Sequence, residues 1–350
     1  MGSFSPVRLV CICFLLVLIG FIICFLYAVY LPILAPKPTS NTLADSFPGP
    51  IDVVYTWVDG TDKAWKVSQD QWRTKEGIPP PPDASLRDPT PNLSKDELYF
   101  SIKSVQKYMP WVNRIYIFTQ SPQKPHWYNP SDVSMSNIFV VHHEDVFASN
   151  APLPSYNGLL NQSQVHRIPG LADHFILFDD DFFVGRPLDR GHFFDRRGNP
   201  VYRLTISWAT WLYPHEPYSK IKKNTHRAVH STVGRWAVLV NHLPVPLTRH
   251  DCFETEILLG RKGYLDNRSR FRGDDTFEFP MVAVNYRLAR GRTRRHPLSF
   301  KTNVYQGKRE KVLKLLASEK FPHLFCINAG FDQEMATACE TSLNFRRMKK

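Results

Sequence analysis

The run HFILFDDDFFVG, His174–Gly185, decides how the rest of the chain reads. Its apolar stretch Phe175–Phe178 ends in three consecutive carboxylates, Asp179, Asp180 and Asp181, and turns apolar again at Phe182–Val184. A short apolar run bounded by polar residues reads as a buried strand. In an open α/β sheet, ligands collect outside the carboxyl ends of the strands. Three adjoining acids there repel one another, and desolvation raises the cost further. A divalent cation removes that cost. Oxygen ligands of this kind suit Mg2+ or Mn2+, usually shared with a substrate phosphate. The competing reading is a solvated acidic turn after a core strand, and the apolar flanks on both sides weigh against it.

Working outward, IDVVYTW from Ile51 is a strand of β-branched and aromatic residues closed by the turn pair Asp59-Gly60. Ser94-Lys-Asp-Glu97 has capping-box spacing, and Leu98, Ile102 and Val105 continue it at helical intervals. Arg114–Thr119 and Asn137–Val141 are further strands, Val201–Trp211 is another candidate, and Glu310–Leu316 reads as helix. Strands alternating with helical or loop segments indicate an α/β domain with a largely parallel sheet.

The chain has 350 residues, 43% hydrophobic and 22% charged, with a net charge of +12. That composition excludes disorder and allows a large core. The positive balance favours anionic partners without choosing among them. The segment Leu9–Leu31 carries no charge and is long enough to span a bilayer as a helix. It lacks the short apolar core and small-residue cleavage site of a signal peptide, so it reads as an uncleaved anchor. Arg8 on its amino side orients the bulk of the chain toward a lumen. The expected organisation is a cytosolic tail over 1–8, the anchor over 9–31, a Pro- and Ser-containing stem over 32–50, one domain over 51–340 and a basic tail over 341–350.

Of six cysteines, Cys11, Cys13 and Cys24 fall in the anchor and Cys252, Cys326 and Cys339 in the domain. They form neither a disulfide framework nor a zinc pattern. The last three leave open one bridge, Cys326 to Cys339, or three buried thiols. Asn92, Asn161 and Asn267 each open a glycosylation triplet. The basic stretch Arg287–His296 lacks the base-contacting or stacking module that nucleic-acid binding requires, so nucleic acid is not an expected partner.

IDVVYTWVDG at Ile51–Gly60 resembles the first conserved region of the Stealth proteins. Asp96–Thr119 and Val165–Gly185 resemble the start and end of the second, NHLPVPLTR at Asn241–Arg249 the third, and FCIN at Phe325–Asn328 the fourth. The resemblance implies a Rossmann-like, GT-A-like nucleotide-sugar domain. It also implies transfer of a sugar 1-phosphate from a nucleotide-diphospho-sugar to the hydroxyl of a glycan or glycoprotein acceptor. Together with the anchor it implies a single-pass type II membrane protein of the Golgi or a related secretory compartment, with the domain in the lumen.

Such chemistry needs charge neutralised, a proton removed and reactants aligned. Asp180 and Asp181 are the expected metal ligands, with Asp181 also catalytic. His242 corresponds to the family's third-region histidine and is the expected base, with a structural loop histidine as the competing role. Arg272 resembles a phosphate-clamping arginine, and its competing role is an exposed residue beside Arg268 and Arg270. Asp52, Trp57 and Asp59 are expected at the end of the first strand, near the donor's base and ribose, although Trp57 also suits a core. His166 and Arg167 either contact the donor or hold their own loop together. Asn328 is a neutral donor-side ligand. Three positions depart from the family's usual residues: Asp179 replaces Asn, Gln162 replaces Glu and Ala329 replaces Asp. Two alternatives stand beside the phosphotransferase: an ordinary glycosyltransferase using the same donor, and a catalytically silent glycan-binding protein.

Overall fold

The structure, a computed structural model, describes residues 19–20, 46–79, 97–205, 217–235, 237–240, 242–265, 269–291, 293–295, 302–304, 309–318, 320–327 and 331–342. The chain divides into residues 1–41 and 42–350. Of the first unit only Ile19 and Gly20 are described, both helical, so the anchor expected over 9–31 lies almost wholly outside the described residues. No helix among the described residues is long and apolar enough to cross a membrane.

The second unit is built on β1 (Ile51–Thr56), β2 (Ile115–Thr119), β3 (Ile138–His142) and β4 (His174–Asp179), with β5 (Phe182–Val184) following β4 directly. Val201–Tyr202 forms β6 and Leu204–Thr205 forms β7; the rest of the strand expected to Trp211 lies outside the described residues. Leu239–Val240 is β8, Val245–Thr248 β9, Arg294–Arg295 β10, Thr302–Val304 β11 and Leu324–Cys326 β12. The helices are α1 (Lys63–Glu76), α2 (Glu97–Tyr108), α3 (Gly158–Gln162), α4 (Pro217–Val233), α5 (Arg249–Arg261), α6 (Phe279–Ala289), α7 (Arg309–Ser318) and α8 (Gln333–Ser342).

The main sheet runs β3-β2-β1-β4-β9. The first four strands are parallel, and β9 is antiparallel to β4, so the sheet is mixed. Pro246 lacks an N–H to give a neighbour, and it sits on this edge strand, where one is not needed. Side-chain alternation explains why both faces are covered. Ile51, Val53 and Tyr55 face the apolar side of α2, including Leu98, Ile102 and Val105. Val54, Phe175 and Leu177 face the opposite way, toward Val282 and Ala283 of α6 and Leu259 of α5. A strand buried on both faces is apolar throughout, which is why these strands were legible as runs.

A second, smaller sheet runs β11-β12-β5 and packs its Phe183 and Phe325 with Phe331, Val312 and Leu316. Cys252, Cys326 and Cys339 are buried free thiols, so the bridge between Cys326 and Cys339 is absent. Ser46–Pro50, expected in the stem, belongs instead to the folded unit. Ser46 bridges to Asp195, Phe47 stacks on His174 at 3.9 Å, and Arg190 donates to the carbonyls of Phe47, Pro48 and Gly49. At the other end α8 reaches Ser342, past the expected boundary at 340.

Gly185, just after β5, is required by close approach. A β-carbon there would lie 2.3 Å from the Pro322 carbonyl oxygen and 2.6 Å from Phe321 Cβ. Gly185→Ala is expected to cost about 1–3 kcal/mol by overpacking. A urea denaturation midpoint unchanged from the parent chain would show that β5 and the segment before β12 do not meet this closely.

Candidate active site at the strand ends

The parallel register sets Thr56 of β1 level with Asp179 of β4, so both strands present their carboxyl ends at one edge. Asp180 and Asp181 form the turn into β5. Asp179 accepts hydrogen bonds from Gln162 Nε2 at 2.8 Å and Thr56 Oγ1 at 3.3 Å. Two sequence departures therefore meet in space: the amide of Gln162 faces the carboxylate of Asp179.

Asp181 is held from β12. Its Oδ2 accepts from Cys326 Sγ at 3.1 Å, and its backbone carbonyl accepts from Ile327 N at 2.9 Å. Its Oδ1 is buried and has no hydrogen-bond partner. Leaving a buried carboxylate oxygen unsatisfied costs free energy unless a cation or donor arrives. His242 stands beside it, exposed, with its ring edge-on to Phe182 at 5.0 Å. Ligand atoms of Asp181, His242 and Cys326 lie within 4.8 Å of one another. Asn328 lies outside the described residues, two positions beyond Cys326.

The sequence reading missed Glu97. It treated this residue as part of a capping box, but Ser94 lies outside the described residues, and Glu97 at the start of α2 is close enough to Asp180 and Asp181 to feel their charge. Burial, then repulsion from those two aspartates, pushes Glu97 well above the usual carboxylate range. Burial and then Asp181 and Asp179 push Asp180 up to about 8. Asp181 is raised by burial and Asp179, partly offset by His242 and the Cys326 hydrogen bond. Carboxyls raised by one another's charge and by burial, with one oxygen left unpartnered, fit a divalent cation held by Asp180 and Asp181 beside Glu97. No sequence spacing links Glu97 to them, since only packing of α2 against the sheet brings it there.

The other expected residues separate into two groups. Trp57 and Asp59 follow β1 at this same edge. Trp57 packs partly into the core, and Asp59 caps a turn by accepting from Thr61 N and Oγ1 at 2.9 and 2.6 Å. Arg272 is exposed, with Nη2 lying 3.2 Å from where a β-carbon of Gly158 would sit, at the start of α3. Gln162 ends the same helix, roughly 6 Å further along it. The neighbouring Arg270 is structural, paired with Glu76 at 2.8 Å and lying over Trp72 at 3.6 Å.

Asp52, His166 and Arg167 are not at this edge in the sense expected. Asp52 opens β1 at the opposite end of the strand. Its carboxylate accepts from Asn113 Nδ2, Arg114 N and Ala172 N at 2.8, 3.0 and 2.7 Å, tying the starts of β2 and β4 together. Both its oxygens are used, which leaves it a structural task rather than donor binding. His166 and Arg167 both bond Glu256 of α5, at 3.1 and 2.6 Å, and His166 is stacked on Phe279. They take the loop-holding role that the sequence left open. Asn161 sits in α3 with its side-chain oxygen buried, which is a poor position for a glycan; Asn92 and Asn267 lie outside the described residues.

Two measurements probe this geometry. Gln162→Glu sets two carboxylates against each other and is expected to lower divalent-ion affinity at least about 10-fold, as loss of an outer-shell partner does. The double change Gln162→Glu with Asp179→Asn restores a carboxylate–amide pair and should recover most of it by calorimetry. A double variant no better than the single one would break the pairing argument. The second concerns pH. Carboxyls with raised pKa hold protons in the folded chain that the unfolded chain has lost, so without divalent ions stability falls as pH rises from the ordinary carboxylate range through about 8. Ion binding needs the deprotonated groups and strengthens over the same range. The rise in Tm on adding Mg2+ or Mn2+ should therefore be larger at about pH 8 than at about pH 6. Equal rises at both would remove the metal from this cluster.

Comparison with known proteins agrees with the placement of the first and second conserved segments. Residues 49–76 match the Stealth protein conserved region 1, and residues 92–202 match conserved region 2. A capsular polysaccharide phosphotransferase of Haemophilus influenzae is 30% identical over 307 residues, covering 80% of this chain and 78% of that protein. An exopolysaccharide phosphotransferase of Streptomyces coelicolor is 31% identical over 318 residues, covering 85% of this chain. The chain spans about half of that relative's length, 49%. Among solved structures, a galactosyltransferase in complex with donor and acceptor sugar analogues is 12% identical with a TM-score of 0.41, covering 85% of this chain and 98% of the other. With its first two conserved regions flanking and containing the acidic turn, and with relatives aligned over most of its length, the chain belongs to the Stealth protein family.

Proposed function

We propose that this chain transfers a sugar 1-phosphate from a nucleotide-diphospho-sugar to a hydroxyl of a glycan acceptor, forming a phosphodiester. The observation that carries the reading is the carboxylate cluster of Glu97, Asp180 and Asp181, with Asp181 Oδ1 unpartnered and an exposed His242 beside it. The names of the relatives, polysaccharide phosphotransferases, support the same class. The acceptor oxygen attacks the β-phosphorus, the bond from that phosphorus to the bridging oxygen breaks, and a nucleoside monophosphate leaves. His242 takes the hydroxyl proton, and its exposure lets an acceptor reach it. Arg272 offers a permanent positive charge and a bidentate face to phosphate oxygens. Gln162 and Thr56 hold Asp179 in place. Asp180 and Asp181 would hold a Mg2+ or Mn2+ ion, which would supply charge neutralisation for the diphosphate. Trp57 and Asp59 border the donor's side of the edge, where a GT-A-like domain holds its nucleotide. The same reading places the domain behind an anchor at Leu9–Leu31, facing a Golgi or related secretory lumen.

The test is product identity with the purified chain, a panel of nucleotide sugars and a glycan acceptor. A phosphodiester-linked sugar with nucleoside monophosphate is expected. A plain glycosidic bond with nucleoside diphosphate would establish the ordinary glycosyltransferase instead, and donor binding without turnover on any acceptor would establish the silent binder. His242→Ala is expected to lower turnover about 10²–10⁴-fold with little change in donor affinity. If the same variant loses donor binding and keeps its rate, the base lies elsewhere.

A further inference from the structure

The acidic turn also has neighbours of different chemistry. Asp180 and Glu97, hard oxygen donors, both feel the charge of Asp181. Asp181 is also grouped with an imidazole and a thiol, His242 and Cys326, with ligand atoms of all three residues within 4.8 Å of one another. We propose that Asp181, His242 and Cys326 form a capture site for a zinc-class ion, and that occupancy of this site silences the enzyme.

The argument is one of donor type and geometry. Carboxylate, water and phosphate oxygens suit Mg2+ and Mn2+, whereas imidazole with thiolate selects Zn2+. Zinc bond lengths of about 2.0–2.3 Å place tetrahedral donor atoms roughly 3.4–3.6 Å apart. Cys326 Sγ already lies 3.1 Å from Asp181 Oδ2. The remaining closure falls on His242, which is exposed. Cys326 and Asp181 are fixed by β12 and by the Ile327 hydrogen bond to the Asp181 carbonyl. The other oxygen of the same carboxylate, Asp181 Oδ1, is buried and has no partner, so Asp181 has an acceptor to spare for a bound ion. Three protein donors leave a fourth position open to water or a phosphate oxygen. Binding displaces the thiol proton to solvent, since a coordinating thiol is deprotonated by the metal. No electron transfer is involved.

The consequence rests on the function proposed above. A zinc-class ion here takes both the base, His242, and the carboxylate shared with the Mg2+ or Mn2+ position. Excess Mg2+ cannot supply the soft donors with an equivalent competitor, so it should not reverse the block, whereas a chelator should.

The closing experiment titrates the purified full chain with Co2+ as an optical stand-in for Zn2+. A thiolate-to-cobalt charge-transfer band, with the intense visible bands of four-coordinate cobalt, is expected at one equivalent and should be bleached by Zn2+. Cys326→Ser should remove the charge-transfer band and weaken Zn2+ binding by more than the roughly 10–100-fold that loss of an outer-shell partner costs. Arg272→Ala should leave the band intact. No charge-transfer band in the parent chain, or a band that survives Cys326→Ser, overturns the site. The optical result stands apart from turnover: cobalt binding without any transferase product would retain the site and reject the function, and Mg2+-dependent turnover untouched by stoichiometric Zn2+ would reject the silencing.

Discussion

Like charges crowded at the carboxyl end of β4 are the constraint on which this edge of the molecule is built. Asp179, Asp180 and Asp181 follow one another in the chain, and Glu97 is packed beside them. Each neighbouring element contributes something that reduces the cost. α3 contributes the Gln162 amide, β1 the Thr56 hydroxyl and β12 the Cys326 thiol. These donors engage one oxygen of Asp179 and one oxygen of Asp181, and the second oxygen of Asp181 stays bare. A protein that needed only to fold would gain by removing such charges, because an uncompensated buried carboxylate costs more than an apolar residue of similar size. Retaining the cluster makes sense where a cation and a phosphate complete it.

The two ends of the sheet make the contrast plain. At the amino end, Asp52 is buried and accepts three hydrogen bonds, two of them from backbone N–H groups that would otherwise lack partners. That carboxylate serves the fold. At the carboxyl end, burial and the repulsion of neighbouring carboxylates push Asp180 up to about 8 and Glu97 well above the usual carboxylate range. The same residue type thus has opposite tasks at the two ends of adjoining strands. Hydrogen-bond satisfaction separates them, where proximity along the sequence does not.

The smaller sheet does more than extend the core. β5 continues directly from the acidic turn, and its pairing with β12 fixes Cys326 and Ile327 against Asp181. Ser101 of α2 donates to the Phe182 carbonyl, and Ser104 Oγ accepts from Val184 N on the same strand at 3.0 Å. The helix that supplies Glu97 is thereby locked to the strand that follows Asp181. One rigid assembly of α2, β5 and β12 sets the spacing of carboxylates and thiol.

The apolar strands, their alternation with helices and the acidic interruption at 179–181 were legible in the sequence, because a strand buried on both faces must be apolar along its length. The pairing of Gln162 with Asp179 was visible only as two unrelated departures, since the residues stand far apart in the chain and meet through a short helix. Glu97 looked like a helix cap, and Asp52 looked like a donor contact, because local spacing reports on local structure alone. What the sequence by itself determined is the α/β pattern and the position of the charged turn, both consequences of side-chain periodicity. Which carboxylates are satisfied, which are left to a cation, and which thiol and imidazole stand beside them were decided only by the tertiary packing of α2 and β12 against that turn, because desolvation and electrostatic repulsion depend on distances that no linear spacing encodes.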